Sequence, residues 1–182
     1  MADNQEVEKI WTWDMTVPGL AASPITLEVQ KEHIQRYAKS IQNMNPIHWD
    51  EEAAHKEGLR TVVAPPTMCF SYAPMRRWEL FNERGYRSPE QAATPRSTPY
   101  AGSEITFQGE PIFAGDKITS VTTIDKKWES KSGNKFVGFR VTATNQNGKK
   151  VLEYVYNVIW EYSKGQKSRP ETLTPAQPGR AH

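Results

Sequence analysis

Pro65-Pro66-Thr67-Met68-Cys69-Phe70-Ser71-Tyr72-Ala73-Pro74-Met75-Arg76-Arg77-Trp78-Glu79-Leu80-Phe81 is the stretch on which the reading of this 182-residue chain turns. Proline suits the first position of a helix, where its missing N–H would have no partner anyway, so Pro66 marks a start. Met68, Cys69, Phe70, Tyr72, Met75, Trp78, Leu80 and Phe81 then put apolar side chains on more than one face, which predicts a long helix buried on most sides and ending before Gly85. Pro74, about two turns in, is expected to kink it or displace its continuation.

Upstream, Ile34, Tyr37, Ala38 and Ile41 recur at helical spacing from Lys31, predicting an amphipathic helix that ends near Gln42, with Thr26–Val29 as a short strand or helix entry before it. Asn43-Met44-Asn45-Pro46-Ile47-His48 follows. Proline is poorly tolerated inside a helix and pushes the preceding residue, Asn45, towards extended geometry, so His48 should project from a tight bend. Asp50 is a natural N-cap for a short helix over 51–57, with Gly58 as its stop. Residues 1–25 read as an extended lead-in.

Downstream, residues 86–100 hold three prolines and read as a long excursion of the kind that is functional or disordered. The periodicity then changes to two. Residues 105–107, 117–125, 135–144 and 150–162 read as candidate strands, and Leu152, Tyr154, Tyr156, Val158, Trp160 and Tyr162 fall on one face of the last. Ser130–Gly133 and Asn145–Gly148 are hairpin connections. Helices followed by an antiparallel meander give an α+β domain over residues 1–162, with the sheet curled round the long apolar helix. Residues 163–182 form a flexible tail rich in proline, lysine and serine.

The length suits one domain with a real core. The net charge is +2, but the tail holds four basic residues against one acid, so the body is close to −1 and carries no nucleic-acid footprint. A single cysteine, Cys69, excludes an internal disulfide and fits a reducing compartment. The first residues are acidic and polar, unlike a signal peptide, and no apolar run reaches spanning length, so a cytoplasmic location is expected.

Three motifs in order carry a resemblance over roughly residues 17–162. They are Asn45-Pro46-Ile47-His48 followed by Ala54, then Ala64-Pro65-Pro66-Thr67-Met68, then Glu110-Pro111-Ile112-Phe113-Ala114-Gly115-Asp116 before the meander. Together they resemble the MaoC-like hot-dog dehydratases, in the branch called the FAS1-like dehydratase or MaoC N-terminal domain, which includes accessory subunits of (3R)-hydroxyacyl-ACP dehydratases. The resemblance implies a hot-dog fold, a homodimer or a heterodimer with a second MaoC-like chain, and an acyl thioester carried on coenzyme A or acyl carrier protein. It implies neither cofactor nor metal.

In that family the loop reads Gly-Asp-x-Asn-Pro-x-His. The Asp and His exchange protons with the water that is added or lost, and an amide at the start of the buried helix receives charge developing on the thioester oxygen. Carried over by position, His48 is the catalytic histidine, with Asn45 and Pro46 in the loop. Asn43 stands where the catalytic Asp would be; it can orient a water but cannot act as a carboxylate base, a loss on the scale of ~10²–10⁴-fold. Pro65-Pro66 replaces His-Gly, and Pro66 has no N–H, so Thr67 or Met68 must supply the amide. The Ala-Pro-x-Thr pattern is common in this branch, where one chain often binds substrate while its partner carries the chemistry.

The expected site is therefore His48 and Asn43 for catalysis, with Asn45, Thr67, Met68, Tyr72, Arg76 and Arg77 binding substrate. Arg76, Arg77, Arg84, Arg87 and Arg96 could form a rim for phosphates, against the simpler reading of a solvated helix face. Met68, Tyr72, Met75 and Trp78 could line an acyl tunnel, against ordinary core packing. His48, Glu51, Glu52 and His55 match no metal-ligand spacing. Cys69 reads as a small buried hydrophobe. The expected function is an (R)-specific enoyl-thioester hydratase or 3-hydroxyacyl-thioester dehydratase, or its substrate-binding subunit; the alternative is a non-catalytic acyl-CoA-binding or structural module.

Overall fold

A computed structural model describes residues 8–109 and 111–165; the expectations for residues 1–7, for Glu110 and for the tail beyond 165 lie outside them. The elements run β1 (Ile25–Glu28), α1 (Lys31–Ser40), α2 (Glu51–Lys56), α3 (Cys69–Tyr72), α4 (Arg77–Asn82), β2 (Tyr100–Phe107), β3 (Lys117–Glu129), β4 (Lys135–Thr144) and β5 (Lys150–Glu161). All strand pairs are antiparallel, and the sheet order is β1-β3-β4-β5-β2.

The meander forms because its turns are chemically specified. Gly133 N–H donates to the Ser130 carbonyl at 2.9 Å, and in the next hairpin Asn145 Oδ1 accepts from Asn147 N–H and Lys149 N–H at 3.0 Å each. Gly133 and Gly148 take φ of +78° and +74°, a backbone region that suits glycine and few other residues. Period-two patterning aims Ile118, Ile124, Val137, Phe139, Val141, Leu152, Tyr154, Val158 and Trp160 at the helical layer, and all are buried.

The long helix is replaced by three short pieces. A 3₁₀ turn over Pro66–Met68 leads into α3, the chain breaks at residues 73–76, and α4 resumes at Arg77. The cause is Pro74: Ala73 before it leaves helical geometry at φ −130°, ψ +67°, as the proline ring demands. The break is tied down, not loose. Tyr154 Oη–H donates to the Ala73 carbonyl at 2.8 Å, and Arg76 N–H donates to Thr122 Oγ1 at 2.8 Å.

Each piece still anchors in its own part of the core. Met68, Cys69, Tyr72 and Ala73 pack with Ile118, Val141, Leu152 and Tyr154. Leu80 and Phe81 pack with Ile124, Val137, Phe139, Val158 and Trp160, and burying each contributes ~1.5–3 kcal/mol. The lead-in belongs to this second cluster: Trp11 is buried and stacks on Phe81 at 4.8 Å.

The excursion over 86–100 is partly ordered. Ser88–Gln91 forms a capping box, in which the Ser88 N–H donates to Gln91 Oε1 at 3.1 Å, and Arg77 holds it through Glu90 (2.9 Å) and Thr98 (2.8 Å). Burial alone would raise the Glu90 carboxyl, but hydrogen bonds from Ser88 and Thr98 and the Arg77 charge outweigh it and hold its pKa below the ordinary value.

Candidate active site

The bend at Asn45–His48 is built as the proline predicts. Asn45 is extended (φ −63°, ψ +121°), its Oδ1 accepts from Ile47 N–H at 3.3 Å, and residues 46–48 close a 3₁₀ turn. His48 leaves this turn pointing inward and is 5 % exposed. Its Nδ1 lies 2.6 Å from the Val63 carbonyl oxygen. A carbonyl only accepts, so Nδ1 carries the proton and Nε2 of the neutral ring is left as an acceptor.

Val63 is itself clamped. Its N–H donates to the Ile47 carbonyl at 3.1 Å, and it bridges Phe113, with Ala64 N–H on Ile112 O at 2.7 Å and Ala114 N–H on Val62 O at 3.1 Å. The 113–116 turn that holds this arm is fixed by Asp116, which is buried and accepts from Phe113 N–H (2.8 Å), Gln146 Nε2 (2.9 Å) and Arg60. Gly115 in the turn has φ +86°.

His48 lines a cavity of about 430 Å³ together with Ile47, Leu59, Val63, Ala64, Pro66, Tyr72, Phe107, Gln108, Gly109, Pro111, Ile112 and Val151. Among the described lining residues, His48, Tyr72 and Gln108 bring polar side chains to it. No carboxylate is among the described lining residues. An apolar chamber with one oriented imidazole can bind an acyl group, and it lets Nε2 take or return a proton.

The other expected site residues are dispersed. Asn43 does not line this cavity; its Oδ1 accepts from Asn45 N–H at 3.1 Å and its carbonyl from Trp49 Nε1 at 2.9 Å, so it braces the loop. Asn45 opens onto a separate groove with Pro46, Ala53 and Lys56. Met68 N–H is spent on the Pro65 carbonyl at 2.9 Å, whereas Thr67 is exposed and its N–H has no bonded partner among the described residues. Met68 and Tyr72 line a second cleft of about 410 Å³ under α1, which makes Tyr72 the one lining residue common to both.

The arginines form no open rim. Arg76 Nη1 donates to Ser23 O at 3.0 Å, Arg77 pairs with Glu90, and Arg84 reaches Leu80 O and Ala21 O at 2.6 and 2.9 Å. Arg87 pairs with Glu8 at 3.0 Å, and Arg96 donates to Trp160 O at 2.8 Å. Each tethers two segments of the fold. Met75 and Trp78 lie outside the His48 cavity, and Trp78 is exposed. Glu51 pairs with Lys31 and Glu52 with Lys56, and no group of three or more metal-binding side chains gathers among the described residues. Cys69 is buried, which pushes its thiol pKa up. No helix among the described residues is long and apolar enough to cross a membrane.

Residues 16–154 match the family described as FAS1-like, dehydratase domain region. The chain belongs to that family. A UPF0336 protein of Saccharopolyspora erythraea is 30 % identical over 144 residues, covering 79 % of this chain and 86 % of the relative. Among solved structures, a chain of the HadBC 3R-hydroxyacyl-ACP dehydratase complex of Mycobacterium tuberculosis superposes with a TM-score of 0.63 at 23 % identity, over 79 % of this chain and 96 % of that one. The R-hydratase PhaJ1 of Pseudomonas aeruginosa gives 0.60 at 17 % identity, over 92 % and 96 %. The fold is the hot-dog fold of the MaoC-like dehydratases, here with its central helix broken at Pro74.

Sequence reasoning missed Phe107, Gln108, Gly109 and Val151 as cavity residues. They arrive through the β2–β5 register, which sets Phe107 opposite Leu152, and no local pattern marks such a pairing. For Gln108 the one available signal was its place at the end of a strand, next to Gly109.

Proposed function

We propose that the chain is an (R)-specific enoyl-thioester hydratase or 3-hydroxyacyl-thioester dehydratase, or the substrate-binding subunit of one, acting in the cytoplasm on acyl groups carried by coenzyme A or acyl carrier protein. The observation that carries this reading is His48. It is buried, tautomer-locked by Val63 and presents Nε2 to an apolar cavity. An imidazole held in that way is placed to take the α proton of a 3-hydroxyacyl thioester and return it to the departing hydroxyl.

Asn43 in the position of the family's Asp, with no carboxylate among the described lining residues, favours the subunit form of the reading, in which a second MaoC-like chain brings the Asp and His. The surface that such a chain would meet is β2. It is an edge strand, and although Ile105 and Phe107 sit on the same sheet face as the core residues Tyr154 and Leu152, they remain 38 % and 51 % exposed. Phe70, on α3 beside Tyr154 at 5.0 Å, is also exposed.

The same lining also suits a module that binds acyl thioesters without turning them over. Hydration of crotonyl-CoA and of a longer enoyl-CoA, followed by loss of enoyl absorbance, separates the readings when wild type is run beside His48→Asn. Turnover that vanishes in His48→Asn supports the enzyme. Binding that depends on His48 without turnover supports the subunit or the module, and adding a Gly-Asp-x-Asn-Pro-x-His chain decides between these. Failure to bind either thioester refutes the proposal.

A further inference from the structure

The helix-start amides that the family resemblance assigns to the thioester oxygen are mostly unusable in this chain. Pro66 has no N–H, Met68 N–H is bonded to the Pro65 carbonyl and Cys69 N–H to the Pro66 carbonyl. Thr67 N–H has no bonded partner among the described residues, but Thr67 does not line the His48 cavity. His48 cannot serve either, because its proton is held by Val63 and its free nitrogen is an acceptor. A thioester carbonyl entering this cavity therefore needs another donor.

Tyr72 meets the need. It is 4 % exposed and lies one helical turn beyond Met68. Its hydroxyl has no hydrogen-bond partner among the described residues. The fully enclosed side-chain polar atoms that lack partners there are Ser120 Oγ, Asn157 Oδ1 and Trp160 Nε1. Because the Tyr72 hydroxyl is not one of them, the small surface that Tyr72 retains includes its oxygen. A phenol oxygen that keeps accessible surface and has no protein partner among the described residues, on a residue lining the His48 cavity, is free to donate its proton to an incoming acceptor. The other neutral donor side chain among the described lining residues, Gln108, is half-buried just past the end of the exposed edge strand.

We propose that Tyr72 is the hydrogen-bond donor to the thioester carbonyl oxygen, in the place of the amide that Pro66 removes. The inference rests on the thioester reading above. In the dehydration direction His48 Nε2 takes the α proton and the Cα–H electron pair becomes the Cα=Cβ bond. The Cβ–O bond breaks, and the leaving hydroxide receives that proton from His48 and departs as water. Tyr72 keeps its own proton throughout and holds the charge that develops on the carbonyl oxygen. Burial, with a smaller contribution from Cys69, pushes the phenol pKa well above its ordinary value, so the donor stays protonated across the neutral range.

The test uses the full chain with crotonyl-CoA labelled at the carbonyl carbon. Isotope-edited infrared spectra read the carbonyl stretch of the bound thioester, and near-ultraviolet difference spectra read its enoyl band. In wild type the stretch falls and the band moves to the red. Tyr72→Phe, which removes one oxygen from a residue of unchanged shape, is expected to lose both shifts while Kd weakens only ~2–10-fold, the worth of one ordinary hydrogen bond. Gln108→Leu is expected to keep both shifts. Where turnover is measurable, alone or with a partner chain, Tyr72→Phe lowers kcat ~10²–10³-fold with KM little changed.

Shifts that survive in Tyr72→Phe, or that disappear in Gln108→Leu, overturn the assignment and leave the thioester reading intact. No binding of crotonyl-CoA by wild type overturns both. Thermal melting of the two variants, expected within a few degrees of wild type, separates loss of the donor from loss of the fold.

Discussion

The hydrogen bond from His48 to Val63 lets structure and chemistry at the site be separated by two substitutions. His48→Ala removes the donor and leaves the Val63 carbonyl, in a residue only 7 % exposed, without a partner. An orphaned buried carbonyl costs ~1–3 kcal/mol. The volume left by the ring adds little, because it opens into an existing cavity that water can enter. At roughly 2–4 °C per kcal/mol for a chain of this size, Tm should fall by about 2–12 °C. His48→Asn is different. Its Nδ2 stands where Nδ1 stood and can still donate to Val63, so its cost should stay below ~1 kcal/mol. The loop itself stays in place in both variants, since Val63 N–H to Ile47 O and Trp49 Nε1 to Asn43 O are untouched. Both variants lack Nε2 and should lose any turnover. Urea and thermal unfolding followed by tryptophan fluorescence give the stabilities, with an unchanged urea m-value required for the comparison. If His48→Asn is as destabilised as His48→Ala, the tautomer assignment is wrong and Nε2 cannot be taken as the free acceptor.

Three further outcomes follow from single contacts. Pro74→Ala should change stability by less than ~1 kcal/mol and add no helical signal in far-ultraviolet circular dichroism, because Tyr154 and Thr122 still pin the break. Glu90→Gln should flatten the acid limb of stability against pH. The Glu90 carboxyl is depressed in the folded state, so its contribution is full above its unfolded value of about 4.5 and is lost as pH falls through the lower folded value; equilibrium denaturation between pH 3 and pH 7 reads it. Asp116→Ala should cost ~1–3 kcal/mol through the orphaned Phe113 N–H alone, and should weaken thioester binding as well, because the 113–116 turn holds the arm that anchors Val63.

How far the sequence was legible depended on whether each signal was local. The strands β3 to β5 and their hairpins are readable because period-two alternation and Ser-Gly or Asn-Gly turns act within a few residues, whereas β2 reads as only its last three residues. The buried apolar segment was read as one helix because apolar residues on several faces suit a continuous helix and a broken one equally well. Pro74 announced an interruption. What makes two short pieces stable is Tyr154, which reaches the Ala73 carbonyl across 81 positions of sequence. The arginines show the same limit: their partners are largely main-chain carbonyls at Ser23, Ala21, Leu80 and Trp160, which carry no side-chain signature. His48 was legible because Asn45-Pro46 forces a bend at that point. Its fixed tautomer was not, because the acceptor at Val63 lies on a segment whose own pairing, with residues 112–114, is long-range.

The site is thus unequally built. On one side, His48 is held by Val63, Val63 by Ile47 and the bridge to Phe113, and that turn by Asp116, so the imidazole is fixed by the fold itself. On the other side, the wall is Phe107, Gln108 and Gly109, the end of an edge strand with Phe107 half exposed. Catalytic geometry tolerates little looseness around a proton-transfer group, while a binding wall can be completed by whatever packs on it. A rigid imidazole, a buried phenol and an open edge are the distribution of order that the proposed function calls for. A neighbouring subunit would meet the cavity along β2, the same strand on which the second hot-dog chain is proposed to pair.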